Sequence, residues 1–218
     1  MIRHPDNSNL SLHIDHTYKG LPVQVEKGPF IRKYLANLLV TINRSLTHYP
    51  RVFAFRVDLR LPAVGSRPEY LCSNEVIERF FASLKAKIRH NRDMARLVNK
   101  CTHDSQVRYV WVRELGQQGR PHYHVLILLN RDAFCSLGSF TSGKDNMFNR
   151  LQEAWASALC LSEEAVKGLV EVPRNPCYYL DREGGEGLAA LFFRASYLCK
   201  AATKGYGDGQ HAFGCSRT

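Results

Sequence analysis

Two histidines and a glutamate are spaced so that they could bind one metal ion. His122 and His124 lie two residues apart in a run that alternates like a β-strand, so both imidazoles should face the same side. Glu114 precedes them, and a hairpin turn centred near Gln118 would place it directly across from His122. One carboxylate and two imidazoles suit Mn²⁺ or Mg²⁺, and Zn²⁺ is chemically compatible as well. The alternative is a Glu–His surface salt bridge that binds no metal.

A tyrosine with basic neighbours follows near the C-terminus. The residues concerned recur every three or four positions and are Arg194, Tyr197, Lys200 and Lys204. This spacing predicts that they share one face of the last helix, expected over 187–202. Nearby positive charge favours the ionised phenol, a nucleophile that can attack a phosphodiester. The alternative is an ordinary amphipathic helix with a half-buried tyrosine. Tyr178 and Tyr179 are rival nucleophiles, but their stretch is proline-rich, turn-like and without flanking lysines.

The elements that must position these side chains alternate between strands and helices. Helices are predicted over 28–48, 73–99 (with Ser73 as N-cap), 144–158 and 187–202, and strands over 51–62, 106–115, 122–130 and 168–172, with an edge strand in the tail. The order predicts an α+β, ferredoxin-like split-βαβ fold, in which helices pack on one face of a central antiparallel sheet. Its first and third strands are neighbours, so the His122–His124 strand should lie beside Asp58.

The charge balance favours a polyanionic partner. Thirty Lys and Arg residues against 20 Asp and Glu residues give the 218-residue chain a formal net charge of +10, which is typical of a nucleic-acid-binding protein. The basic half of the helix over 73–99 is expected to contact the DNA backbone through Lys85, Arg89 and Arg92, together with Arg194 and Lys204. A merely basic, soluble surface is the alternative.

Cysteine spacing and hydropathy limit the class of protein further. None of the seven cysteines forms a C-x-x-C pair, which excludes a zinc ribbon, and free thiols indicate a reducing compartment. The sequence has no signal-peptide pattern and no apolar run that could span a bilayer. We therefore expect a cytoplasmic protein with no membrane partner.

Residues 1–27 are expected to form an arm ahead of one domain at 28–218. The arm's His13, Asp15 and His16 are a weaker candidate metal cluster.

The motifs resemble those of a known superfamily. His122-Tyr123-His124 resembles the H-U-H motif of the HUH endonucleases, in which U is hydrophobic, and Tyr197-Leu198-Cys199-Lys200 resembles their Y-x-x-K motif. Over residues 28–205, an ordered series of segments resembles the replication initiators of filamentous bacteriophages and the related YagK/YfjJ-type prophage proteins. The segments are RVFAFRVDLRLP, RELGQQGRPHYHVLILLN, LQEAWASAL, GLVEVPRNPCYYLDR and RASYLCKAATK.

The resemblance implies an HUH fold and a metal-dependent endonuclease that nicks and rejoins one DNA strand in rolling-circle replication. Tyr197 would become linked to the 5′ phosphate and leave a free 3′-OH. His122, His124 and Glu114 would hold the metal, and Lys200 would neutralise phosphate charge or steady the phenolate. The substrate would be single-stranded or supercoiled origin DNA in a bacterial host, with a host helicase and polymerase as partners. Position 201 is alanine, so a second nucleophilic tyrosine is not evident, and closure could use a transient homodimer.

Other functions fit the same motifs. A transposase or a relaxase of the same superfamily would share the chemistry and differ in the DNA that it cuts. A non-catalytic, RRM-like nucleic-acid-binding module would share the sheet, although its base-stacking face would carry histidines and a glutamate. A zinc hydrolase would need no covalent tyrosine.

Overall fold

The computed structural model describes residues 2–62, 73–116, 121–205 and 209–217. The α-helices in these ranges are α1 (Arg32–His48), α2 (Glu75–Val98), α3 (Met147–Leu159) and α4 (Glu186–Ser196). The strands are β1 (Arg3–His4), β2 (Asn7–His13), β3 (Thr17–Tyr18), β4 (Leu21–Pro22), β5 (Phe30–Ile31), β6 (Arg51–Arg60), β7 (Arg108–Leu115), β8 (Pro121–Asn130), β9 (Val170–Glu171), β10 (Cys177–Asp181) and β11 (Phe213–Cys215). None of the described helices is long and apolar enough to cross a bilayer.

A central antiparallel sheet has the strand order β10-β6-β8-β7-β11, and β9 also pairs with β6. The first and third strands of the predicted plan, β6 and β8, are neighbours and pair from Val52↔Asn130 to Arg60↔His122. The tail forms the expected edge strand, β11, against β7. The prediction of an α+β fold built on a central antiparallel sheet is therefore confirmed.

The sheet is covered by helices on both faces. Phe53 and Phe55 of β6 pack in one core cluster with α2 and α3, and the alternate residues Val52 and Ala54 pack in a second cluster with α1 and α4. The prediction that helices lie on one face is therefore wrong. The physical reason is that β6 and β8 carry apolar side chains in both alternations, so each face must be shielded from water.

The fourth strand is interrupted rather than short. β9 and β10 both pair with the same edge of β6, through Asp58↔Glu171 and Cys177↔Phe55. The proline-rich stretch between them was expected to extend as a turn through Tyr178 and Tyr179, and that part of the prediction is wrong. Proline lacks only its own N–H, so it breaks the ladder locally, and pairing resumes beyond it.

Several helix boundaries also differ from prediction. α1 begins at Arg32 rather than at residue 28, because Phe30–Ile31 pair as β5, and α3 begins at Met147 rather than at residue 144. α2 has Asn74 as its N-cap residue, and the Ser73 hydroxyl instead accepts a hydrogen bond from the Glu75 N–H at 3.2 Å. α4 ends at Ser196, and Tyr197–Cys199 form a 3₁₀ turn. The tyrosine therefore lies just beyond the helix in which its sequence spacing placed it.

The N-terminal segment forms small hairpins that dock on the domain. β2 pairs with β1 and β5, and β3 pairs with β4. Leu12, Tyr18 and Val23 are buried in the second core cluster with α1 and α4. The boundary at residue 27 stays a prediction, but the segment contributes apolar surface to the same core as α4.

Candidate metal centre and tyrosine site

The β7–β8 hairpin brings the predicted ligands together. Glu114 lies directly opposite His122, and His124 is two residues further along the same face of β8. The expected turn near Gln118 lies outside the described residues. The His122 and His124 Nε2 atoms are 3.2 Å apart, and His124 Nε2 is 3.7 Å from Glu114 Oε2. Strand alternation and register therefore produce the convergence that the spacing predicted.

The 3.2 Å distance between the two histidine nitrogens fits a shared metal ion, and the 3.7 Å distance from His124 Nε2 to Glu114 Oε2 lies just above the range for one. Two ligand atoms held about 2.1 Å from one ion, at angles of about 90–120°, are separated by roughly 3.0–3.6 Å. In the described part of the chain, one group of three metal-ligating side chains has its ligand atoms all within 4.8 Å of one another, and it consists of Glu114, His122 and His124. The group could hold a metal ion, and its two nitrogens and one oxygen suit a divalent cation.

Asp58, whose role the sequence left open, orients one of the histidines. Its Oδ1 is 2.7 Å from His124 Nδ1, which leaves Nε2 directed towards His122 and Glu114. A carboxylate behind a ligating histidine fixes the ring and raises its basicity. Burial acts to lower the pKa of His124, but the hydrogen bonds with Asp58 and Glu114 outweigh it and raise that pKa. Burial and the neighbouring His124 charge lower the pKa of His122, which favours the neutral, ligating imidazole.

Glu114 is buried and held by two lysines. Its carboxylate Oε1 accepts a hydrogen bond from Lys204 Nζ at 2.5 Å, and Oε2 lies 3.1 Å from Lys200 Nζ. Burial alone would raise the pKa of Glu114, but the hydrogen bonds and charges of His124 and Lys204 outweigh it and hold that pKa far below its ordinary value. The carboxylate is therefore ionised at neutral pH.

Tyr197 lies against this group. Lys200 Nζ donates to Tyr197 Oη at 2.6 Å, and the Tyr197 ring meets the His124 ring edge to face at a centroid distance of 5.7 Å. Lys200 thus contacts both the tyrosine and Glu114. The two clusters proposed separately from the sequence form one site on the α4 face of the sheet.

Sequence reasoning missed Arg56 as part of this site. Its side chain is buried, and its guanidinium carbon lies 5.6 Å from the Tyr197 ring centroid. The Nη2 atom is 3.6 Å from Asp58 Oδ1. Burial lowers the pKa of Arg56. The sequence did contain a signal for this residue. Arg56 lies on the same face of the predicted strand as Val52 and Ala54, so its side chain had to face the interior.

Two of the cations predicted to contact DNA lie near the tyrosine but differ in exposure. The predicted DNA contact of Lys204 is wrong. Its side chain is fully buried against Glu114, so it cannot reach a DNA phosphate in this arrangement. Its spacing from Lys200 predicts a shared helix face, but α4 ends before both lysines. Arg194 is half-buried, and its charge acts on Arg56 and Tyr178.

The basic half of α2 lies on the other side of the sheet. Lys85 Nζ lies 5.2 Å from the Tyr109 ring centroid, and the Arg92 guanidinium carbon lies 4.5 Å from that of Phe134. α2 packs on the face opposite Tyr197. The structure therefore does not bring Lys85, Arg89 and Arg92 to the tyrosine site, and their contact with DNA stays a prediction.

The rival residues lie in different places relative to Tyr197. Tyr178 packs on the same sheet face as Tyr197, and burial raises its pKa although Arg194 and Arg56 oppose that effect. Tyr179 points to the other face, where its hydroxyl donates to the Cys135 carbonyl at 3.1 Å. In the arm, His13 is buried and lies 3.7 Å from exposed Asp15. His13, Asp15 and His16 form no metal-ligating group among the described residues.

Comparison with known proteins gives a family but no activity. Residues 14–216 match the family described as YagK/YfjJ C-terminal domain. The chain is 32% identical to the uncharacterized protein YagK of Escherichia coli K12 over 209 residues, which cover 92% of this chain and 98% of YagK. It is 30% identical to the uncharacterized protein YfjJ of the same strain over 203 residues, 88% of this chain and 97% of YfjJ. No solved structure matches. The chain therefore belongs to the YagK/YfjJ C-terminal domain family.

Proposed function

We propose that this protein is a metal-dependent, single-strand DNA endonuclease of the HUH type that starts rolling-circle replication. It would nick origin DNA, hold the 5′ end on Tyr197 and later rejoin a strand. We place this activity in the cytoplasm of a bacterial host, with a host helicase and polymerase extending the free 3′ end. The formal charge of +10 supports a DNA substrate.

One observation carries the proposal. Lys200 contacts the Tyr197 hydroxyl and the Glu114 carboxylate at once, while the Tyr197 ring contacts His124. These residues come from β7, β8 and the turn after α4, so the fold assembles them from separate segments. A tyrosine beside a candidate metal group and a lysine has the parts needed for attack on a phosphodiester.

The proposed step is an in-line displacement at phosphorus. The Tyr197 phenolic oxygen forms a bond to the scissile phosphorus, and the bond from phosphorus to the 3′ oxygen breaks. The phenol proton is released to solvent, and the departing 3′ oxygen takes up a proton, so protons balance. Lys200 holds the phenolic oxygen and stabilises the phenolate that forms when the phenol proton leaves. Rejoining is the reverse reaction with a new 3′-OH.

A divalent ion, Mn²⁺ or Mg²⁺, would be held by Glu114, His122 and His124 and would polarise the scissile phosphate. Asp58 keeps His124 turned with Nε2 towards the ligand group. Lys204 keeps the Glu114 carboxylate ionised and fixed while its other oxygen faces His124. Neither Asp58 nor Lys204 would touch the DNA.

A specific observation favours one alternative, a non-catalytic nucleic-acid-binding module. Both oxygens of Glu114 already contact lysine ammonium groups, so the cluster is electrostatically satisfied without a metal. In that case the histidines, the glutamate and the lysines would stabilise the fold, and the protein would bind nucleic acid through its basic surface without cutting it.

Single-stranded oligonucleotides from the protein's own replicon separate these functions. They are incubated with the protein and Mn²⁺ or Mg²⁺, and the products are run on a denaturing protein gel. We expect a slower-migrating protein–DNA adduct that is absent with EDTA and absent from Tyr197→Phe. The matched control, Tyr179→Phe, removes a hydroxyl on the opposite face and should retain the adduct. DNA binding without any adduct or cleavage on origin-spanning strands would favour the binding module.

A further inference from the structure

The beginning of the chain holds the turn that carries Tyr197. Gln24 is 6% exposed, and its backbone N–H donates to the Ser196 hydroxyl at 3.0 Å. Its side-chain amide Nε2 donates to the carbonyls of Phe193 and Arg194, at 3.0 Å each. One residue near the N-terminus therefore makes three hydrogen bonds to the last turn of α4.

These bonds satisfy carbonyls in the last turn of α4. The last four carbonyls of a helix have no partner inside it, and they need donors from elsewhere when they are buried. Gln24 supplies two such donors, and the Ser196 hydroxyl supplies another by donating to the Phe193 carbonyl at 2.7 Å. The backbone then tightens into the 3₁₀ turn Tyr197–Cys199.

A second attachment lies on the other side of the tyrosine. The Ala201 N–H donates to the Pro29 carbonyl at 2.8 Å, and Phe30 forms a β-bridge with Lys200. Phe30 belongs to β5, which pairs with β2 of the N-terminal hairpins. Lys200 is thereby joined through its backbone to the small N-terminal sheet.

Between the two attachments, two buried side chains of the turn itself hold the chain in the core. Leu198 and Cys199 have no exposed surface and pack in the core cluster shared with α1 and α4. Tyr197 itself is half-buried and keeps its hydroxyl on Lys200. The position of both reactive side chains is therefore set by residues 23–31, about 170 residues earlier in the chain.

We propose that residues 23–31 are the positioning element of the nucleophile and that Gln24 is its main positioning residue. The inference rests on the proposed nicking function and deepens it, because a misplacement of about 1 Å can slow a positioned reaction about 100-fold. Gln24 acts through α4 and the turn, since its contacts are with Phe193, Arg194 and Ser196 and not with the metal group. Residues 23–31 are therefore part of the proposed nicking site, although they do not touch the DNA.

The test compares Gln24→Met with Ser45→Ala. Methionine keeps the volume of Gln24 and removes both side-chain donors. Ser45→Ala removes one buried bond from a side chain to a backbone carbonyl, 3.0 Å long, inside α1 of the same core cluster region. Hydrogen–deuterium exchange is measured by mass spectrometry on full-length proteins. We expect exchange in peptides covering 193–204 to be at least about ten-fold faster in Gln24→Met, with β8 peptides unchanged. Ser45→Ala should leave 193–204 unchanged.

Nicking kinetics supply the second measurement. In Gln24→Met the rate constant of nicking should fall about ten-fold or more, while KM for the oligonucleotide and the Mn²⁺ affinity by calorimetry stay within about two-fold of wild type. Unchanged exchange at 193–204, or equal acceleration in every peptide, would overturn the positioning role. If the wild-type protein does not nick DNA at all, the nicking function fails, but the exchange result still decides whether Gln24 positions the turn.

Discussion

The buried ion pair between Lys204 and Glu114 makes a quantitative prediction about stability. The Lys204 side chain is fully buried, the Glu114 side chain is 3% exposed, and their charged atoms are 2.5 Å apart. Removing one partner of such a pair costs about 3–5 kcal/mol, because the other charge is left buried without compensation. Replacing both partners by groups without charge can be nearly neutral. The pair should therefore show strong thermodynamic coupling.

The two single substitutions should differ in a way that the contacts explain. Glu114→Gln leaves Lys204 without a carboxylate and should lower the free energy of unfolding by about 3–5 kcal/mol. Lys204→Met leaves Glu114 with Lys200 at 3.1 Å, so its cost should be smaller, about 2–3 kcal/mol. The double variant should lose only about 1–3 kcal/mol, which is well below the sum of the single effects.

Urea unfolding at pH 7 with EDTA measures these values without a contribution from bound metal. The fluorescence of Trp111 and Trp155, both in the core, reports the transition. The control is Lys87→Met, which breaks the partly exposed pair with Glu153 and should cost no more than about 1 kcal/mol. If the double variant loses as much stability as the two single variants combined, Lys204 and Glu114 do not act as a buried pair.

Three other predictions concern the same cluster. The folded-state pKa of Glu114 is depressed. The stability that the ionised Glu114 contributes should therefore be complete above its unfolded pKa of about 4.3 and be lost progressively as pH falls below that value. A constant stability difference between wild type and Glu114→Gln from pH 6 to 3 would contradict this. Asp58→Asn should weaken Mn²⁺ binding by about 10–100-fold in calorimetry, and an unchanged Kd would show that the contact with His124 does not support a metal. Lys200→Met should slow nicking about 100-fold with DNA affinity nearly unchanged. The control Lys85→Met, on the opposite face of the sheet, should not affect the nicking rate. Equal effects of the two lysine variants would exclude a specific role for Lys200.

The parts of the site that local patterns define were predictable from the sequence. Period-2 alternation gave the β7–β8 hairpin, and the register Glu114↔His122 followed from counting residues to the turn. The neighbouring position of Asp58 followed from the split-βαβ plan, although its hydrogen bond to His124 required the side-chain geometry. Short-range periodicity and a known strand order are sufficient for such placements.

The end of α4 could not be predicted in this way. The sequence from Ala195 to Ala202 contains no proline or glycine, so local propensity continues the helix past Tyr197. The donors to its last-turn carbonyls belong to Gln24, far away in the chain. The burial of Lys204 has the same origin, because its partner Glu114 is 90 residues away. Contacts of this kind appear only when distant segments have been brought together.

The second layer of helices was missed for a different reason. Apolar residues occupy both alternations of β6 and β8, a pattern that indicates strands buried on both faces. The expectation of one covered face came instead from the split-βαβ plan, which places its helices on one side of the sheet. The apolar residues at successive positions from Phe53 to Phe55 are the sequence signal for helices on both sides.

Peptide mapping of the covalent product tests the central claim most directly. The protein is reacted with origin single strands and Mn²⁺, the DNA is trimmed with a nuclease, and tryptic peptides are analysed by mass spectrometry. The proposed function predicts a 5′-linked nucleotide on the peptide that contains Tyr197, and on no other tyrosine peptide. A nucleotide on the peptide that contains Tyr178 and Tyr179, or strand cleavage without any modified peptide, would contradict Tyr197 as the nucleophile.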